Sequence, residues 1–337
     1  MAEHYDESIL EQRERKKTLL EMLLFDQTTQ RNIIWATSDY ANYGSGYQEK
    51  DEIAANHISG SHCDFIQPRM GKAVQDQASR TKQKAEVFTP CWICNAQNNL
   101  VDAQWFGRES VFNTLDPLDS QVWHPVIEKI VFPSKRARGW KQYIDARRME
   151  VCCGEAPYLV SRYDSVSGEE IPIAQRIGLL DRKLRIVREN TETQEDWLIW
   201  ALRAFQSVYG FEYQGDSLFL ARKNLFFTFL DYYDAQYHGL PETKWLYRIA
   251  TVISWNLWQM DGLKLVVPGS CRTKQMITTN MFGEEVTEKL PCPGCQEGGY
   301  DNHNGIYCVI KNWRSKTKQT FLSVMKEGGK TCQKRRK

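Results

Sequence analysis

Long hydrophobic runs are absent from this sequence. No apolar stretch approaches the about 18 to 20 residues that a membrane-spanning helix needs, and the first residues, MAEHYDESILEQRERKK, contain no hydrophobic signal region. We therefore expect a cytoplasmic protein that has no membrane partner. Internal repeats and low-complexity segments are also absent, and a content of 42% hydrophobic and 26% charged residues is typical of an ordinary globular chain.

The sequence has no excess of charge of one sign. Lys and Arg number 44 against 42 Asp and Glu, so the net charge is only +2. Nucleic acid would therefore have to be bound by local basic patches. The candidate patches are Arg136, Arg138, Lys141, Arg147 and Arg148, or Arg314, Lys316, Lys318 and the tail Lys334 to Lys337. Such charge runs are also typical of solvated faces.

Length and cysteine content bound the architecture. A chain of 337 residues accommodates one large or two ordinary domains with a sizeable core. Ten cysteines without a secretion signal favour thiols and metal ligation over disulfides.

The stretch RMEVCCGEAPYL, residues 148 to 159, reads as a strand that runs into a tight glycine turn with an acid on each side. In a doubly wound sheet such a turn lies at the carboxyl end of the strand, where a nucleotide-like ligand meets backbone N–H groups and a carboxylate. A Cys-Cys-Gly turn also occurs as plain buried packing. The segments around it decide between these interpretations.

Three segments in this order resemble the adenine-specific amino-methyltransferases of bacterial restriction-modification systems. The first contains Glu86, Phe88, Thr89, Pro90 and Trp92; the second contains Met149, Glu150, Cys153, Gly154, Tyr158 and Leu159; the third contains Tyr209, Gly210 and Glu212. The resemblance implies an α/β fold with a Rossmann-like S-adenosylmethionine-dependent methyltransferase sheet. To this sheet the residues themselves add an N-terminal helical extension and a C-terminal zinc-knuckle-like segment. The resemblance further implies that the chain binds S-adenosylmethionine and is the DNA adenine-N6 methyltransferase component of a restriction-modification system.

A site for S-adenosylmethionine needs close backbone approach, an acid for the ribose diol and an acceptor for the adenine amino group. By resemblance, Gly154 allows the close backbone approach, Glu212 binds the ribose diol and Asp261 accepts the adenine amino group. Each of these two acids also has a simpler interpretation as a surface residue that caps the next helix. The predicted cofactor-binding set is Phe88, Thr89, Pro90, Glu150, Cys153, Gly154, Glu155, Glu212, Tyr213 and Asp261.

The predicted organisation has three parts: a helical and irregular extension over 1–84, the cofactor-binding domain over 85–268, and a Cys-rich segment with a basic tail over 269–337. We expect a helix between Glu7 and about Trp35, then mainly irregular structure to Lys84. The later expected helices lie at 176–187, at 193–209 with Thr193 and Asp196 as a cap pair, after the capping residue Asp216, and at 242–253. We expect a break at Gly210 and strands at 211–214 and within 256–263.

A second constellation lies near the C-terminus. Cys292-Pro-Gly-Cys295 forms a knuckle, and Cys271 with Cys308 would complete a tetrahedral thiolate zinc site, with His303 as the substitute fourth ligand. Incidental buried or exposed thiols remain the alternative. Cys91 and Cys94 have the same spacing, but helix packing explains them better.

The family's catalytic tetrapeptide, D/N/S-P-P-Y/F/W, is missing from this sequence. The catalytic residues therefore stay unknown, and we expect the isolated chain to be weak or inactive. Expected partners are double-stranded DNA and a second chain that supplies the catalytic loop or a restriction nuclease. Two alternatives stay open: a catalytically inert DNA-binding or regulatory subunit, and a zinc-stabilised nucleic-acid-binding module without a cofactor.

Overall fold

The computed structural model describes residues 7–11, 17–62, 64–72, 77–78, 80–82, 89–134, 138–279, 281 and 285–334. The strands in these ranges are β1 (Phe25–Asp26), β2 (Arg31–Asn32), β3 (Asn113–Leu115), β4 (Trp123–Pro125), β5 (Arg148–Glu150), β6 (Val208–Glu212), β7 (Leu257–Gln259), β8 (Lys274–Thr279), β9 (Glu285–Leu290), β10 (Val309–Asn312) and β11 (Thr317–Thr320).

The helices in the same ranges are α1 (Leu19–Leu24), α2 (Cys91–Phe106), α3 (Trp140–Asp145), α4 (Leu179–Asn190), α5 (Gln194–Phe205), α6 (Gly215–Tyr237), α7 (Thr243–Asn256), α8 (Pro293–Glu297) and α9 (Phe321–Lys334). Short 3₁₀ helices lie at Glu7–Glu11, Ala41–Tyr43, Ala55–His57, Gly60–His62, Arg69–Gly71 and Ile173–Gln175. None of the helices in the described ranges has the length and apolar character to cross a membrane.

A small parallel sheet, in the order β5, β6, β7, lies at the centre of the fold. Glu150 pairs with Gly210, and Gly210 pairs in turn with Leu257. Helices α4 and α5 connect the first two strands, and α6 and α7 connect the second pair, as parallel pairing requires. The predicted mixture of helices and strands is confirmed, but the other sheets in the described ranges are two-stranded hairpins, so a full doubly wound sheet is not seen.

The two faces of the parallel sheet contact different layers. Val208 and Leu257 pack on the main helical core, whereas Tyr209, Phe211 and Trp258 pack on the opposite side with Phe321 at the start of α9. This alternation follows from the two-residue period of a strand. The sheet is therefore covered by helices on one face and by the C-terminal segment on the other.

The N-terminal segment is part of the main core. The expected long helix is wrong in extent: α1 covers only six residues, because Phe25 pairs with Asn32 and the chain turns back in a hairpin. Thr18 and Glu21 form the capping box of α1, and Trp35 is fully buried.

Two buried basic side chains bind backbone carbonyls. The Arg222 guanidinium donates to Leu23 O at 2.6 Å, Phe25 O at 3.1 Å and Leu257 O at 2.6 Å, so it joins the N-terminal segment to β7. Lys183 Nζ donates to the carbonyls of Ile144 and Ala146 and to the Ser207 hydroxyl. Buried basic side chains are tolerated only when such partners satisfy their donors, and burial lowers the pKa of Lys183.

The expected helices between β5 and β7 are found with shifted ends. Thr193 is the N-cap of α5 and accepts the backbone N–H of Asp196 at 3.1 Å, as expected. The expected break at Gly210 is wrong, because Gly210 lies inside β6 and pairs on both sides. Asp216 lies in the first turn of α6, whose N-cap is Gln214.

Candidate metal centre and ligand-binding edge

Four side chains near the C-terminus converge on one point: Cys271, Cys292, Cys295 and His303. Their ligand atoms all lie within 4.8 Å of one another. His303 Nδ1 is 3.6 Å from the Sγ atoms of Cys271 and Cys292 and 3.7 Å from that of Cys295. Tetrahedral zinc with its usual bond lengths requires a sulfur-to-nitrogen separation of about 3.6 Å. The donor set therefore fits a structural zinc ion.

A hairpin and a short helix position these four ligands. Hairpin β8–β9 brings the chain from Cys271 back to Cys292, and Cys292 caps the short helix α8 that carries Cys295. His303 Nε2 lies 2.9 Å from Gly299 O, and since a carbonyl can only accept, Nε2 carries the proton and Nδ1 is free to bind a cation.

The electrostatics of the cluster favour a thiolate at Cys292. Burial opposes ionisation, but the backbone N–H of Asn304, which donates to Cys292 Sγ at 3.2 Å, and other hydrogen bonds lower the pKa of this thiol to about 6. Burial and the neighbouring sulfurs raise the pKa of Cys271 to about 12. A bound cation would relieve this conflict, because it stabilises all three thiolates together.

The fourth ligand of the cluster is not Cys308, the residue that was first expected there. Cys308 is fully buried in the apolar layer beside Trp258, and its Sγ lies 3.3 Å from Gln259 O. His303, the expected substitute, occupies the fourth position instead. Cys91 and Cys94 are buried in α2, as the packing interpretation predicted, and burial raises the pKa of Cys94 to about 12.

Two predicted cofactor residues meet at the carboxyl edge of the parallel sheet. The Gly154 N–H donates to Glu212 Oε2 at 2.8 Å, and Gly154 adopts a φ of +51°, which favours glycine. Glu212 Oε1 accepts the N–H groups of Tyr213 at 2.8 Å and Gln214 at 3.2 Å. The carboxylate therefore holds the glycine turn and keeps unused acceptor capacity mainly on Oε2.

Asp261 lies two residues beyond β7 at the same edge. Its Oδ1 accepts the backbone N–H groups of Leu263 at 3.1 Å and Lys264 at 3.2 Å, and its Oδ2 pairs with Lys264 Nζ at 3.2 Å. Burial, followed by the charges of Glu212 and Asp261, raises the pKa of Cys152 in the glycine turn. The ends of β5, β6 and β7 thus form one acidic edge.

The acids on each side of the turn point inward. Glu150 is buried and accepts the N–H groups of Tyr158 at 3.3 Å and Leu159 at 3.2 Å, and burial raises its pKa to about 8. Glu155 accepts the N–H of Arg69 at 2.8 Å and the Tyr163 hydroxyl at 2.6 Å. Both carboxyl groups therefore hold the turn in place.

The remaining predicted residues surround the same turn, apart from Phe88, which lies outside the described residues together with Glu86. Cys153 is buried, and its N–H donates to Phe211 O at 2.9 Å. Thr89 and Pro90 precede α2, and the Thr89 carbonyl accepts the Ser165 hydroxyl at 2.9 Å. Tyr213 is 43% exposed at the edge.

Sequence reasoning missed a buried ion-pair cluster around Asp216. This carboxylate pairs with Arg80 at 3.0 Å and Lys72 at 3.2 Å and accepts the Tyr40 hydroxyl at 3.1 Å. Burial opposes its charge, but Lys72 and Arg80 lower its pKa to about 2. No local pattern signals this cluster, because its cations come from the polar segment that was expected to be irregular.

A large open cleft of about 1210 Å³ runs beside α6, and none of the predicted cofactor residues lines it. Its inner wall includes Tyr163 and Asn224, and the Asn224 side chain donates to Glu155 O at 3.1 Å. These contacts separate the cleft from the glycine turn.

Comparisons with known proteins leave the chain without an assigned family, since no family model, curated protein or solved structure matches it.

Proposed function

We propose that the acidic edge binds S-adenosylmethionine and that the chain is a component of a DNA adenine-N6 methyltransferase of a restriction-modification system. The observation that carries this proposal is the convergence of Gly154, Glu212 and Asp261 after three adjacent parallel strands. Ligands of α/β proteins bind at this edge because strand ends and backbone N–H groups meet there.

The edge suits a ligand that carries positive charge. S-adenosylmethionine has a sulfonium and an ammonium group. Glu212 and Asp261 provide two carboxylates at the edge, of which Asp261 already pairs with Lys264 Nζ at 3.2 Å. Since the glycine turn and its neighbours use most acceptor sites of Glu212, we expect Oε2 to accept one ribose hydroxyl. Asp261 would accept the adenine amino group.

The bound cofactor supplies an activated methyl group for an adenine amine. This chain orients the cofactor, but its sequence lacks the D/N/S-P-P-Y/F/W loop that would position and polarise the amine. Because positioning and electrostatic stabilisation account for several orders of magnitude in rate, the isolated chain should methylate DNA weakly or not at all. A second chain would supply the loop.

A structural zinc ion would stabilise the neighbouring acidic edge. Bridges join Asp261 to Val266 and Val266 to Tyr307, and the Tyr307 hydroxyl accepts the His303 N–H at 3.0 Å. Burial opposes the charge of Lys264, but Asp261 and then the thiols of Cys295 and Cys271 raise its pKa. Loss of zinc should therefore disturb the turn that carries Asp261.

Calorimetric titration with S-adenosylmethionine on zinc-replete protein tests the proposal. Gly154→Val should abolish binding, because it strains the turn and blocks backbone approach. Glu212→Gln should weaken binding by about 10- to 150-fold, which corresponds to about 1.5 to 3 kcal/mol for a charged acceptor. Glu242→Gln, at an exposed helix cap, is the matched control. A folded, zinc-loaded sample that shows neither heat nor a thermal shift with saturating cofactor would overturn the proposal.

The second candidate function is a zinc-stabilised DNA-binding or regulatory subunit that is catalytically inert. The Cys/His cluster favours it, because this cluster needs no cofactor to serve as a structural centre. DNA binding without any response to S-adenosylmethionine would favour this second function.

A further inference from the structure

Hairpin β10–β11 is strongly basic. The segment from Val309 to Thr320, VIKNWRSKTKQT, contains Lys311, Arg314, Lys316 and Lys318 and no acid. Lys311 and Lys318 stand directly opposite each other across the two strands. Like charges in this position destabilise a hairpin, so the arrangement has a cost unless an anion is bound.

Two tryptophan rings lie beneath these ammonium groups. Lys311 Nζ is 4.0 Å from the ring centroid of Trp313, and Lys318 Nζ is 4.7 Å from that of Trp255. Such contacts hold both cations in place. Burial, together with repulsion by Lys318 and Lys316, lowers the pKa of Lys311. The hairpin therefore presents preorganised positive charges that repel one another.

The fold joins this hairpin to a second basic stretch. Arg314 donates to Asp145 O at 3.2 Å and pairs with its Oδ2 at 2.9 Å, at the end of α3. Asp145 is followed closely by the exposed Arg147, and Arg203 also pairs with Asp145, at 2.6 Å. We name the surface formed by Arg147, Lys311, Arg314, Lys316 and Lys318 the basic face.

The basic face lies at the opposite end of the sheet from the acidic edge. Arg147 precedes β5 and Trp255 precedes β7, whereas Glu212 ends β6. The five residues of β6 span about 13 Å at the usual strand rise. A ligand on the basic face is thus spatially separate from a cofactor at the acidic edge.

We propose that the basic face binds the phosphate backbone of duplex DNA, at a docking site distinct from the acidic edge. The charge complementarity is direct, because closely spaced ammonium and guanidinium groups match closely spaced phosphates. A membrane surface fits less well, since Trp255 is 6% exposed and lies under lysine side chains instead of projecting outward. The inference goes beyond cofactor binding and does not depend on it.

Fluorescence anisotropy with a mixed-sequence duplex at 50 to 200 mM salt tests the inference, with the full zinc-replete chain. The triple variant Lys311→Gln/Lys316→Gln/Lys318→Gln should bind more weakly, and its salt slope should be smaller by about 0.9 per lysine. Between 50 and 200 mM salt the unmodified chain should then lose about 40-fold more affinity than the variant.

The matched control neutralises three exposed lysines elsewhere, Lys50→Gln/Lys129→Gln/Lys244→Gln. Lys244 lies at the start of α7, whereas Trp255 lies at its end. Equal salt slopes for the two triple variants, or tight binding to phosphatidylserine vesicles with no binding to duplex, would overturn the inference. The zinc content of the same samples reports misfolding, and their titration with S-adenosylmethionine reports failure of the proposed cofactor site. Both outcomes are thereby distinguished from failure of DNA docking.

Discussion

The buried Glu150 carboxyl should make stability fall as pH rises. Burial raises its pKa from the ordinary 4.5 to about 8, although the N–H groups of Tyr158 and Leu159 donate to it. Between these two values the folded state holds a proton that the unfolded state has lost. The contribution of Glu150 to the free energy of unfolding should therefore decrease as pH rises between these two pKa values and stay constant outside them.

The size of the effect follows from the pKa difference. Each unit corresponds to 1.36 kcal/mol, so a rise from 4.5 to about 8 amounts to about 5 kcal/mol between pH 4 and pH 9. Glu150→Gln removes the titration and keeps an acceptor oxygen for only one of the two backbone donors, because the N–H groups of Tyr158 and Leu159 bind different carboxylate oxygens; that loss does not depend on pH. Relative to this variant, the unmodified chain should lose about 5 kcal/mol over the window.

Urea unfolding followed by tryptophan fluorescence at pH 5, 7 and 9 measures this difference, because the chain has 11 tryptophans. Comparison with Glu150→Gln cancels the pH dependence of the metal ligands. Glu242→Gln, with a side chain that is 70% exposed, controls for loss of a surface charge. A stability difference between the unmodified chain and Glu150→Gln that stays constant from pH 5 to pH 9 would refute the reasoning.

Four further substitutions test other contacts. His303→Ala should lose the zinc ion, whereas Cys308→Ser should retain about one zinc ion per chain. Elemental analysis of protein purified without added metal measures both. The reverse pattern would favour the site in which Cys308 is the fourth ligand. Gly215→Ala should cost about 3 kcal/mol in urea unfolding, because its Cβ would overlap the Ile34 carbonyl oxygen, and an unchanged midpoint would argue against this close approach. Lys183→Met should cost about 2 kcal/mol because the Ala146 carbonyl loses the amine that donates to it, whereas Ile144 O still accepts from the Ser207 hydroxyl at 2.6 Å; equal stability would show that water replaces the amine.

Local patterns in the sequence predicted several elements well. The Thr193 cap, the helices between β5 and β7, and Asp261 just beyond a third strand were all predicted from periodicity and capping residues. The same patterns placed the Gly210 break wrongly, because a glycine inside a paired strand looks like a turn until its neighbours are known.

By itself, the sequence determined which residues follow strands and which cysteines have knuckle spacing, since both depend on residues a few positions apart. Only the tertiary structure decided that His303 replaces Cys308 and that Glu150 points inward. It also brought Arg314 to Asp145, which joins two basic stretches far apart in the chain. The physical reason is that burial and partner choice depend on how distant segments pack, and no local period encodes that packing.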